Sequence, residues 1–160
     1  MDCNETNAMQ FSPSVRVRGS AFFNAAVNAG LHAMSVYNRM YMPTSYGDAE
    51  GEYWALRNGV SMWDVGVERQ VVLQGPDAGK LAQYLSPRDL TNCRIGQGLY
   101  VPLCDHDGHV FNDPVLLKVD EQTYWLSIAD SEVLLFAKAV AGERNLDAKV
   151  FEGDVCPLAI

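Results

Sequence analysis

The sequence predicts an α+β domain: an antiparallel sheet with flanking helices. Three observations carry this. Strand-like alternation runs from Gly98 to Val119 (GLYVPLCDHDGHVFNDPVLLKV), interrupted by a tight turn at Asp105–Gly108, which makes a hairpin. Thr123 to Ala129 (TYWLSIA) follows closely enough to add a third antiparallel strand. Strands also come in adjacent runs with helices between the runs, an order that argues against a doubly wound parallel sheet.

Taken in order, residues 1–20 read as an irregular lead-in rich in Ser, Asn and Arg. Residues 21–35 admit either a short helix or a packed loop. Tyr37 to Tyr46 (YNRMYMPTSY) reads as an extended segment lying over a core. Asp48 to Asn58 has helical spacing, with Tyr53 and Leu56 on one side and Gly59 placed as a left-handed C-terminal cap. Val60 to Val65 and Glu68 to Gln74 read as strands. Gly75-Pro76-Asp77 opens a helix with Pro76 at its first position; Leu81, Ala82 and Leu85 form its apolar stripe, and Ser86-Pro87 ends it. After the three strands, Asp130 or Ser131 caps a helix from about Glu132 to Gly142. Lys149 to Glu152 is a short strand, and Cys156 to Ile160 reads as the start of another.

The hairpin supplies the first candidate functional residue. Alternation through its second leg puts His109, Phe111, Asp113, Val115, Leu117 and Val119 on one face, so Asp113 is expected in the middle of an apolar, core-facing row. A carboxylate there is costly unless paired, and Pro114 holds the backbone before it extended. Such a residue is a candidate for acid–base chemistry. The structural alternative is an aspartate that caps a turn or accepts from backbone amides.

Bulk properties narrow the function classes. The chain has 160 residues, enough for one domain with a real core. It is 48% hydrophobic and 20% charged, a globular and not a disordered composition. With a net charge of −8 and no basic cluster, it offers no footprint for nucleic acid. No apolar run could span a bilayer, and the N-terminus lacks a secretory signal pattern, so no membrane partner is expected. Cys3, Cys93, Cys104 and Cys156 are scattered, which points to free thiols in a reducing, cytoplasmic setting. No dinucleotide, P-loop, zinc-protease or serine-hydrolase motif is present. Cys104, Asp105, His106, Asp107 and His109 cluster at one turn, but alternation sends the two histidines to opposite faces, so a metal site is not expected. Asp and Gly there are what a tight turn needs. Of the many aromatic residues most belong in a core, while a few could line a pocket for a flat ring or cage an onium cation.

Four stretches together resemble the aminomethyltransferase family, the tetrahydrofolate-dependent proteins typified by the glycine cleavage T-protein. They are YNRMYMPTSY (37–46), EYWALRNGVSMWDVGVERQVVLQGPDA (52–78), LYVPLCDHDGHVFNDP (99–114) and YWLSIADSEVLLFAKAVA (124–141), in an order and spacing that cover most of residues 35–160. The wording of WDVGVERQVVLQGPDA, SPRDL, FNDP and WLSIADS is similar to the dimethylsulfoniopropionate demethylase branch. The resemblance implies a three-domain protein longer than this chain, with 1–35 a lead-in and 36–160 an incomplete folate-binding domain, inactive alone. It implies tetrahydrofolate as cofactor and a small-molecule methyl donor as partner, with an onium compound favoured. Asp113 matches an aspartate that contacts folate near N5 and N10, and Tyr100 a tyrosine that lies along it. Ala129 takes the place of an asparagine in the folate-contacting segment of T-proteins, which counts against plain glycine-cleavage activity. A glycine-cleavage-type transferase and a non-catalytic folate-binding module remain the alternatives. The oligomeric state is not legible.

Overall fold

The computed structural model describes residues 15–160. The expectations for residues 1–14, including Cys3, lie outside the described residues. Four helices and eleven short strands follow in the order α1 (Phe23–Asn28), β1 (Ala33–Tyr37), β2 (Met40–Ser45), α2 (Ala49–Asn58), β3 (Trp63–Asp64), β4 (Gln70–Gln74), α3 (Ala78–Leu85), β5 (Gly98–Tyr100), β6 (Leu103–Cys104), β7 (Val110–Asn112), β8 (Val115–Asp120), β9 (Thr123–Ser127), α4 (Val133–Glu143), β10 (Lys149–Glu152) and β11 (Leu158–Ala159).

The centre is a five-stranded sheet in the order β10-β4-β9-β8-β5, antiparallel at every pairing. The expected α+β class and the three-stranded unit β5-β8-β9 are both present. Register decides which side chains share a face. Leu99 pairs with Leu116, Leu116 with Leu126, Leu126 with Val71, and Leu73 with Tyr124 and Val150. That row joins Leu81 and Leu85 of α3 and Val133, Ala137 and Val140 of α4 in one core cluster. Leu73, Leu81 and Leu116 are completely excluded from solvent; each such burial contributes about 1.5–3 kcal/mol. The expected stripe of α3 is therefore the one that packs.

Two prolines shape the hairpin. Its legs do not run as one ladder: β5 pairs with β8 inside the central sheet, while β6 pairs with β7 as a separate two-stranded ribbon around the turn. The legs break at Val101-Pro102 and Asp113-Pro114, because a proline nitrogen cannot donate to a ladder. The Val101 N–H still reaches the Pro114 carbonyl at 2.9 Å and closes the joint. At the tip, Gly108 has φ 86°, the left-handed conformation the Asp-Gly pair supplies at little cost. Gly75 is required for a different reason: at φ 137° a Cβ would lie 2.6 Å from the Asp147 carbonyl.

Several local expectations are corrected. Tyr37–Tyr46 is not one extended segment; Asn38 and Arg39, at φ 50° and 60°, turn the chain so that β1 and β2 pair. Residues 21–35 hold the short helix the sequence allowed, α1, and the start of β1. Asp48 does cap α2, accepting from the Gly51 N–H at 3.0 Å, but Gly59 is extended (φ −142°) and not a left-handed cap. No residue of α2 is buried, so its apolar spacing marks an exposed face here. Val60–Val65 yields only the two-residue β3, paired with β11. Neither Asp130 nor Ser131 caps α4; Glu132 stands at the cap without a side-chain bond. Both side chains are held elsewhere, as described below. No helix of the described residues is long and apolar enough to cross a membrane.

Candidate functional site

The helices cover one face of the central sheet. The other face, where Gly98, Leu117, Trp125, Val72 and Phe151 follow in register, has no helix on it. At one end of this open face stand Tyr100 and Val115, paired across β5 and β8, with Ser127 and Gln70 beyond them on β9 and β4.

Asp113 lies at this end, and its position corrects the alternation argument. The buried row of the second leg is Asn112, Pro114 and Leu116; Asp113 and Val115 are exposed. The core-facing assignment was inverted. Both rows carry apolar side chains, and the kink at Asp113-Pro114 leaves each row two or three residues of regular strand, too few for periodicity to choose. The carboxylate is not a buried charge. It is presented at the rim of the open face, where Tyr100 donates its phenolic O–H to Asp113 Oδ2. Donation to that carboxylate is the main reason the Tyr100 phenol titrates above its ordinary value. Arg88 Nη1 donates to the Tyr100 carbonyl at 2.6 Å and steadies the strand that carries the phenol.

The structure thus brings two sequence-predicted residues, Tyr100 and Asp113, into direct contact. The third, Ala129, is half-buried beside them and contributes through its backbone. Its N–H donates to Asn112 Oδ1 at 3.1 Å, and its carbonyl accepts from Asn112 Nδ2 at 2.8 Å. The same amide nitrogen donates to Ser131 Oγ at 2.7 Å. Asn112 is 4% exposed, so these bonds replace water that it cannot reach. It ties the 129–131 segment to the residue preceding Asp113.

A second buried asparagine holds the segment from the other side. Asn38, 3% exposed, donates through Nδ2 to the carbonyls of Val67 (3.0 Å) and Ile128 (3.2 Å). Its backbone N–H donates to Asp130 Oδ1 at 2.9 Å. This explains both the tolerated positive φ at Asn38 and the loss of Asp130 as a helix cap. Next to it, Tyr37 stands half-buried. Burial first, and then the charges of Glu68, Asp130 and Asp113, raise its phenol above the ordinary value; the Asp130 main chain acts in the opposite sense. Gln70 Nε2 donates to Ser127 Oγ at 2.7 Å, and Ser127 Oγ to Glu68 Oε2 at 3.2 Å, completing a polar band along this end. Sequence reasoning missed Asn38, Asn112 and Glu68, whereas Tyr37 is among the aromatic residues it weighed for a flat-ring pocket or an onium cage. The signal for the asparagines was present: each interrupts an apolar stretch (VYNRMY, VFNDP) without a neighbouring glycine.

Chemically, the corner offers an accessible carboxylate that can accept from an N–H, a phenol that fixes its orientation, and an apolar surface for a flat ring. The hairpin tip is separate. There, one oxygen each of Asp105 and Asp107 and a His109 nitrogen lie within 4.8 Å of one another. Asp105 Oδ1 accepts the Asp107 and His109 N–H groups, both at 2.9 Å, so the turn's own hydrogen bonding accounts for the gathering. Cys93, Cys104 and Cys156 are free.

The sequence profile of the GCVT N-terminal domain matches residues 22–160. The chain is 42% identical over 148 residues to a protein named dimethylsulfoniopropionate demethylase DmdA from Ruegeria pomeroyi, covering 92% of this chain and 41% of that protein. It is 28% identical over 125 residues to an aminomethyltransferase of Symbiobacterium thermophilum, covering 74% of this chain and 33% of that one. It therefore spans between one third and about two fifths of these relatives. A solved structure of glycine cleavage system aminomethyltransferase T from Bartonella henselae superposes with a TM-score of 0.73 at 19% identity, covering 88% of this chain and 39% of that one. At that identity the likeness establishes a shared fold.

Proposed function

The chain belongs to the GCVT N-terminal domain family, and from that premise we propose that it is the folate-contacting part of an enzyme that moves a methyl group from a small donor onto tetrahydrofolate. An onium donor such as dimethylsulfoniopropionate is favoured, by analogy with the relative from Ruegeria pomeroyi. The observation that carries the reading is the Tyr100–Asp113 pair at the exposed β5–β8 end of the sheet face that carries no helix, beside the part-exposed Leu117 and Trp125.

These residues fit a reduced pterin. Trp125 offers a flat apolar ring with the aliphatic Leu117 beside it, and Asp113 offers an acceptor at the same end of the face. Tetrahydrofolate, when bound, supplies the nitrogen that accepts the methyl group. Asp113 would accept a hydrogen bond from that nitrogen's N–H and would take up its proton. Tyr100 holds Asp113 Oδ2, which leaves Oδ1 free for this role. A sulfonium or ammonium methyl is already electrophilic, so most of the acceleration comes from alignment, which can supply on the order of 7–11 kcal/mol.

Asp113→Asn in the complete enzyme tests this. The expected result is a loss of about 10²–10⁴-fold in kcat, the usual span of general acid–base contributions. The thermal midpoint stays unchanged, because the carboxylate is exposed. Near-normal kcat with lowered stability would make Asp113 structural. Running the assay in parallel with glycine-cleavage substrates separates the demethylase reading from a T-protein activity, which Ala129 argues against.

A further inference from the structure

The same end of the open face holds more negative charge than a folate-contacting aspartate needs. Glu68, Asp113 and Asp130 take their described hydrogen bonds from neutral donors: Ser127 Oγ, Tyr100 Oη and the Asn38 N–H. None of these three bonds brings a cation to its carboxylate. Across this end, the strand pairs link Gln70 to Ser127, Ser127 to Val115 and Val115 to Tyr100. Asn38 bonds to Val67, Ile128 and Asp130 and pins the β1–β2 turn against them, which sets Tyr37 at this end. Tyr37 is half-buried, so its ring is held while part of it stays accessible. An aromatic ring backed by carboxylates attracts a cation through its π face and through the surrounding field together.

We infer that Tyr37 is the residue that selects the positively charged end of the methyl donor, with Glu68 and Asp130 supplying the field that rejects neutral analogues. The inference rests on the proposed methyl transfer and deepens it. Asp113 serves the acceptor nitrogen, and Tyr37 serves the donor. A neutral methyl ether or a carbon isostere has the shape of an onium group but gains nothing from the ring or the carboxylates. Discrimination here is therefore electrostatic and does not depend on size.

The test is a pair of titrations on the complete protein with choline and its uncharged carbon isostere, 3,3-dimethylbutan-1-ol, followed by calorimetry. The wild type is expected to bind choline at least about tenfold more tightly, the scale of a desolvated cation–π contact. Tyr37→Leu is expected to bring that ratio close to one, and Tyr37→Phe, which keeps the ring, to retain most of it. Glu68→Gln keeps the acceptor for Ser127 and is expected to lower the ratio several-fold. No choline binding by the wild type, a ratio near one, or an unchanged ratio in Tyr37→Leu overturns the inference. Should Tyr37→Leu fail to fold, an unchanged ratio in Glu68→Gln overturns it equally. Tetrahydrofolate titrated into the same samples judges the folate reading separately. Its binding is expected to survive in Tyr37→Leu, and its absence from the wild type would sink the folate reading while the choline ratio still decides this one.

Discussion

The two faces of the central sheet differ in what their neighbouring residues are for. Leu116 and Leu117 are adjacent on β8, yet Leu116 is fully excluded from solvent under the helices and Leu117 is part-exposed on the open side. On the covered face, the strand side chains are mostly aliphatic, and Tyr124 pairs with Leu73 among them. On the open face, polar and aromatic residues alternate with aliphatic ones, and the candidate functional groups stand at one end. Val72 and Gln70 of β4 are buried on this second face too, so the candidate binding chemistry is confined to its exposed β5–β8 end. The boundary between the two is drawn by the buried asparagines, which fasten the site's loop to the core without adding a titratable group.

The first way to break this comparison is to cut the same methyl groups from each side. Leu116→Ala should cost about 2–5 kcal/mol of unfolding free energy, since the cavity sits among tightly packed neighbours. Leu117→Ala should cost less than half as much. Urea denaturation of both variants checks it. Equal losses would mean that the open face is covered in solution.

The next effect concerns the boundary. Asn112→Ala removes the partner of the Ala129 N–H and one of the two donors to the Ala129 carbonyl, which keeps the Ser131 N–H at 2.9 Å. Leaving the Ala129 N–H unbonded should cost about 1–3 kcal/mol. Loss of the stitch should also raise amide hydrogen exchange at residues 129–131, with little change at Leu126 on the covered face. Exchange that rises evenly along β9 would show that Asn112 supports the whole sheet and not the site's loop.

How much of this was legible beforehand depends on the kind of information each element needed. The helices α3 and α4 and the strand β10 announced themselves, because a stripe or a short apolar run bounded by Pro, Gly or Ser has one reading. The pairing of β9 with β8 followed from a short connection. The inward face of the 110–119 leg did not follow: Phe111, Val115 and Leu117 on one side and Val110, Pro114 and Leu116 on the other are equally apolar, and tertiary packing chose. The contact of Tyr100 with Asp113 required the β5–β8 register, which the prolines set and no local pattern encodes. The turn at Asn38-Arg39 lacked glycine, and only long-range bonds to Val67, Ile128 and Asp130 make it affordable.

A third test uses pH. Glu152, at the β10 end beside β4, accepts from Arg69, which is 14% exposed, and also pairs with Arg18. The Arg69 hydrogen bond is the main reason its carboxyl lies below the ordinary carboxylate range. A depressed folded-state value means that the stabilisation is present above the unfolded-state value, near 4.3, and is lost as pH falls through the folded one. Glu152→Gln should therefore cost about 1 kcal/mol at neutral pH, discounted for partial exposure. The variant and the wild type should converge as the pH drops below about 4. Thermal midpoints measured across that window check it. A difference that persists at low pH would assign the loss to packing.

The smallest effect is the sharpest probe of the open face. Tyr100 is 56% exposed, and its hydroxyl donates to a carboxylate that is itself exposed. Tyr100→Phe leaves the ring against Val115 and removes only that donor. Water can replace it at Asp113, so the unfolding free energy should shift by less than about 0.5 kcal/mol. If the hydroxyl's purpose is to fix Asp113 for an incoming N–H, its loss should appear in function, as a fall in tetrahydrofolate affinity or kcat of up to about tenfold, the worth of one hydrogen bond to a charged group. The variant thus separates the two faces in one residue, with no stability change and a measurable functional one. A Tyr100→Phe protein that loses stability but binds tetrahydrofolate normally would place the Tyr100–Asp113 bond with the covered face's architecture, as a brace for the hairpin joint, and leave Asp113 to act without it.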